Sequence, residues 1–120
     1  MGLDMGYIKV SSQEDVAFLS NHWAFAETLF DLDLPIHKEG YTDLVIEDRV
    51  IEAMSERWDV HDVDVVRAES ALTEAEFERI CDSHEDTHGL ADLRPVYRRL
   101  LKRLYDAACG PDRLVCYWSA

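Results

Sequence analysis

Basic residues are scarce in this chain of 120 residues: 12 Lys and Arg stand against 25 Asp and Glu, a net charge of −13. That balance disfavours direct nucleic-acid binding, which needs a clustered positive field to meet phosphates. Cysteine is scarce too. Cys81, Cys109 and Cys116 are odd in number and form no C-x-x-C pair, so reduced thiols in a cytoplasmic protein are expected. No run of about eighteen apolar residues exists, which excludes a helical membrane span. The opening MGLDMGYIKV has no basic segment followed by an apolar one, and no secretory signal is expected. The five glycines are scattered, and no G-x-G-x-x-G, P-loop or G-x-S-x-G occurs. Linkers, repeats and low-complexity stretches are also missing, which points to a single globular domain over residues 1–120.

The hydrophobic fraction of 48% and the three tryptophans, Trp23, Trp58 and Trp118, are enough to build a core. The strongest periodic stretch is 92–108. Leu93, Val96, Tyr97, Leu100, Leu101, Leu104 and Tyr105 recur at helical spacing, and Arg94, Arg98, Arg99, Lys102 and Arg103 occupy the other face. Asp92 reads as the N-cap, with Pro95 in the first turn, where its missing N–H costs nothing. The cluster Cys109-Gly110-Pro111 stops the helix. The arginines are expected to pair internally with the acidic surroundings rather than serve an outside partner.

Other elements follow in chain order. Residues 6–10 alternate as a strand. Ser12 and Asp15 resemble a capping box, and Val16, Leu19, Trp23, Ala26 and Phe30 then predict one helix to about Asp31, before Pro35. Within that helix His22 reads as a core or boundary histidine. Residues 41–46 predict a strand. Glu47 or Asp48 opens a helix to Trp58 that buries Val50, Ile51 and Met54. Residues 60–66 read as an edge strand or a loop. Thr73 with Glu76 forms a T-x-x-E capping box for a helix burying Phe77, Ile80 and Cys81. Residues 113–119 predict the last strand. The sum is an α+β fold, with about four helices packed on a small antiparallel sheet formed by the N- and C-terminal strands.

Two patterns bear on function. The first is charge asymmetry: residues 1–92 carry a net −17 and residues 93–120 a net +4. Asp43, Glu47, Asp48, Glu52 and Glu56 run along the second predicted helix and its lead-in, and Asp59, Asp62 and Asp64 extend the run. Spaced carboxylates on a rigid scaffold imitate phosphates and steer in a basic protein partner. For any one of these residues, a solvated helix face is the plainer reading. The second pattern is His84-Glu85-Asp86-Thr87-His88, which fits H-E-x-x-H. On a helix, His84 and His88 sit one turn apart and can hold a zinc ion, with Glu85 as general base on its bound water. Against this, Gly89 suggests that the helix is ending, Asp86 adds a charge, and no His or Glu follows to supply a third ligand.

The ends of the chain carry a resemblance. Gly2, Leu3, Asp4 and Met5 in MGLDMGYIKV, and the closing LVCYWSA after RRLLKRLYDAA, resemble a group of small phage and bacterial proteins. Those proteins open MGLDMY and close on a YYQSSW-like strand. The resemblance covers about a third of the chain and implies strands at both ends and a phage or mobile-element origin. It carries over no catalytic residue. The expected function is a non-enzymatic, acidic, cytoplasmic inhibitor of a basic nucleic-acid-binding protein or nuclease. The alternatives are a small zinc hydrolase using HEDTH and a structural or assembly protein.

Overall fold

The two ends of the chain meet as neighbouring strands, and the rest is built around that pair. The computed structural model describes residues 3–33, 35–36, 38–39, 43–58, 72–83 and 90–119. Within them the elements run β1 (Asp4–Lys9), β2 (Asp15–Ser20), α1 (Trp23–Phe30), β3 (Lys38–Glu39), β4 (Asp43–Val45), α2 (Asp48–Arg57), α3 (Glu74–Cys81), α4 (Leu90–Ala108) and β5 (Leu114–Ser119). The strands form a five-stranded antiparallel sheet in the order β2-β1-β5-β4-β3. The α+β expectation and the pairing of the terminal strands both hold. The sheet is wider than expected, because β2 and β3 extend it at its two edges.

The single helix expected from Ser12 onward is replaced by a hairpin strand and a shorter helix. Ala17 and Leu19 lie opposite Tyr7 and Met5 on β1 and share their core-facing side, while Phe18 lies opposite Gly6 on the other side. The spacing of Val16, Leu19, Trp23 and Ala26 imitates a helix, but it spans two elements joined at Asn21. That residue has φ 59°, a left-handed conformation asparagine tolerates, and it breaks the period before α1 begins. The β1–β2 turn is held by Asp112, whose carboxylate accepts the Ser11 and Ser12 N–H groups at 2.8 and 3.0 Å. A β-bulge between Tyr7 and Ile8 strengthens the twist there.

The central helix also starts earlier than expected. It begins at Leu90, so Asp92 lies inside it rather than capping it, and Pro95 falls in the second turn. The apolar stripe predicted for it is the centre of the core: Val96, Tyr97, Leu100, Leu101 and Leu104 are all fully buried. Each leucine so buried contributes about 1.5–3 kcal/mol relative to exposure. Tyr97 gathers a cluster of rings, with Phe25 at 5.1 Å, Trp58 at 4.8 Å and His22 at 5.6 Å between centroids. His22 is a core histidine, as expected. The carbonyl of Ile80 accepts from its Nε2–H at 2.9 Å, and its Nδ1 and the Tyr97 hydroxyl share a hydrogen bond of 2.6 Å.

The expected internal pairing of the arginines is seen at two of them. Thr73 caps α3 by accepting from the Glu76 N–H at 3.1 Å. Arg99, nearly buried, donates to the Leu72 carbonyl at 2.9 Å and to Glu74 at 2.8 Å. Arg103 also meets Glu74, and both guanidinium groups lie over the Phe77 ring, at 5.1 and 4.4 Å. The basic face of α4 therefore clamps α3 to the core. Among the described residues, no helix is long and apolar enough to cross a membrane.

Candidate interaction surfaces

Alternation along α2 sorts its residues into two faces. Val50, Ile51 and Met54 are buried, and Asp48, Glu52 and Glu56 project into solvent. The three carboxylates are four residues apart, so they align about 6 Å from one another along the helix axis. Glu47 stands at the N-cap with an extended backbone and pairs with Arg49 at 3.3 Å. Asp43 is separated from this stripe. It lies on β4 one residue before Leu44, whose partner Cys116 is buried, so Asp43 sits on the opposite side of the sheet. The structure thus groups Asp48, Glu52 and Glu56, leaves Glu47 beside them, and moves Asp43 to a second surface. Asp59, Asp62 and Asp64 lie outside the described residues.

The field around the α2 stripe registers on a neighbour. Tyr105 of α4 directs its hydroxyl toward Glu52 at 3.4 Å. Its pKa is held above the ordinary phenol value, first by its hydrogen bond with Cys109 and then by the charges of Cys109, Glu52 and Asp48. Beside the stripe, a cleft of about 680 Å³ opens between the start of α2 and the end of α4, with Glu47, Asp48, Cys109 and Arg113 in its wall.

The second surface is the side of the sheet opposite to that of Met5, Tyr7 and Cys116. Ile8, Val45 and Val115 form one row across it, and Phe18, Gly6 and Tyr117 form the next. Phe18 and Tyr117 are the exposed members, at 42% and 37%. The Tyr117 ring lies across Gly6, where any Cβ would overlap it and push the ring aside. Partial burial raises the Tyr117 pKa, and the Asp15 charge adds to the shift. Sequence reasoning missed this surface because β2 read as helix. No alternation in the sequence marks it, because Val16, Ala17, Phe18 and Leu19 are all apolar.

His22 is buried with both ring nitrogens engaged. Cys81 and Cys116 have thiols pushed up to about 12 by burial, which suppresses the nucleophilic thiolate. His84, Glu85 and His88 of the zinc alternative lie outside the described residues. Among the described residues no group of three or more His, Cys, Asp or Glu side chains is placed to hold a metal ion. Comparison with protein-family models, curated proteins and solved structures returns no match.

Proposed function

We propose that this chain is an acidic, non-enzymatic interaction protein of the cytoplasm that occupies the nucleic-acid site of a basic partner. It would act as an inhibitor of a nuclease or other nucleic-acid-binding protein, of the kind carried by phages and mobile elements. The observation that carries the reading is the exposed row of Asp48, Glu52 and Glu56 on a helix whose other face is core. Because Val50, Ile51 and Met54 anchor the helix in the core, presenting the three charges costs little ordering on binding. A net charge of −13 adds long-range steering toward a positive groove.

The test is competition with fluorescent duplex DNA for purified basic nucleases and DNA-binding proteins, at low and at high salt. The protein should displace DNA from at least one of them, less effectively as salt rises. The triple variant Asp48→Asn, Glu52→Gln, Glu56→Gln should lose that displacement while staying folded, since none of the three side chains is buried. Undiminished competition by the triple variant would remove the α2 stripe from the mechanism. Failure of the wild-type protein against every member of the set would overturn the reading.

A further inference from the structure

We infer that the free edge of β2, with the cleft between β2 and α3, is the docking site for an extended basic segment of a polypeptide partner, which adds to the sheet as a sixth strand. The inference rests on the reading above that the partner is basic, and it adds where and how that partner is held.

The backbone carries the first part. Asn21 N–H donates to the Leu3 carbonyl at 2.6 Å, which fixes the phase of the antiparallel ladder. By alternation, Leu19 and Ala17 direct their N–H and C=O groups toward Met5 and Tyr7 of β1. Phe18 and Ser20 direct theirs away from the sheet, because β2 is an edge strand. Neither residue's backbone has a hydrogen-bond partner among the contacts the structure gives. Two N–H and two C=O groups are therefore in register to receive one more strand.

The side chains carry the second part. A cleft of about 330 Å³ follows this edge, with Phe18 and Tyr117 on the sheet side and Phe77 and Cys81 on the α3 side. It has room for one or two aliphatic side chains pointing inward from an added strand. Asp15, Glu78 and Asp82 stand around it, all exposed and none in an ion pair. Among the described residues of its wall the one basic group is Arg103, which is held by Glu74 over the Phe77 ring. Charge complementarity therefore selects a segment that alternates apolar residues with Lys or Arg. A second copy of this chain would bring the same carboxylates against each other, at −13 per copy.

The probe is a synthetic peptide alternating valine and lysine, with its valine–glutamate counterpart as control. Binding is followed by amide hydrogen exchange and by affinity at low salt. The lysine peptide should bind, and the glutamate peptide should not. At saturation the Phe18 and Ser20 amides should slow by about tenfold or more, while Leu19, already in the ladder, changes little. Ser20→Pro removes one outward N–H without touching a β1-facing one and should weaken binding. The variant Asp15→Asn, Glu78→Gln, Asp82→Asn changes only exposed side chains and should weaken it independently, even if Ser20→Pro fails to fold. Absence of binding would overturn the inference. So would binding that leaves Phe18 and Ser20 unprotected but is lost in the α2 triple variant; that result sinks the edge site and leaves the acidic-inhibitor reading standing. Concentration-dependent protection of the two amides without peptide would assign the edge to a second copy instead.

Discussion

Alkaline pH should destabilise this protein through two buried thiols. Cys81 and Cys116 are buried, and burial raises both pKa values from the ordinary 9.0 to about 12. Above 9.0 the unfolded chain gives up these protons and the native chain keeps them, so the native state binds more protons and stability falls as pH rises. The contribution is present in full below about pH 9 and is lost progressively toward about pH 12. At about pH 10 an unfolded thiol is one unit past its pKa, and one unit is worth about 1.4 kcal/mol. The pair therefore costs about 3 kcal/mol between about pH 8 and about pH 10, a large share of a typical stability of about 5–15 kcal/mol. The buried Tyr7 hydroxyl, raised well above the ordinary phenol value by desolvation, acts in the same direction. The assay is urea unfolding followed by tryptophan fluorescence, under reducing conditions, at both pH values. The double variant Cys81→Ala, Cys116→Ala is compared with itself at each pH, so any cavity cost cancels. The wild-type protein should lose about 3 kcal/mol more than the variant over that interval. Equal losses would refute the assignment of alkaline sensitivity to these thiols.

Further expectations concern the packing that supports the two surfaces. Thr73→Ala removes the hydroxyl that caps α3 and should lower stability by about 1 kcal/mol in denaturant titration, with Thr73→Ser largely restoring it. Tyr97→Phe removes the hydroxyl bound to His22 and should cost about 1–3 kcal/mol by the same measurement, because the ring nitrogen left without it is buried. Leu100→Ala, at the centre of α4, should cost about 2–5 kcal/mol; a smaller loss would show that the α4 core relaxes around the cavity.

These expectations use both kinds of information, and the boundary between them is physical. The T-x-x-E box at Thr73, the apolar stripe of α4, the strand at the C-terminal end and the aligned acids of α2 were all readable from the sequence. Each depends on residues a few positions apart and on solvent, and such local rules act the same in any fold. The internal role of Arg99 and Arg103 was readable as a tendency; that both converge on Glu74 over Phe77 depends on how α3 packs against α4. The segment 15–20 was not readable. Its apolar spacing satisfies a helix and a strand equally, and the decision comes from β1, itself held by β5 about a hundred residues away. The same long-range pairing sets Phe18 and Tyr117 on either side of Gly6 and separates Asp43 from Asp48, though they are close in sequence. The sequence by itself determined the local elements, the core of α4 and the acidic surplus. Only the tertiary structure decided which backbone edge stays unpaired and which carboxylates surround it, because those follow from strand order, a property of contacts between distant parts of the chain.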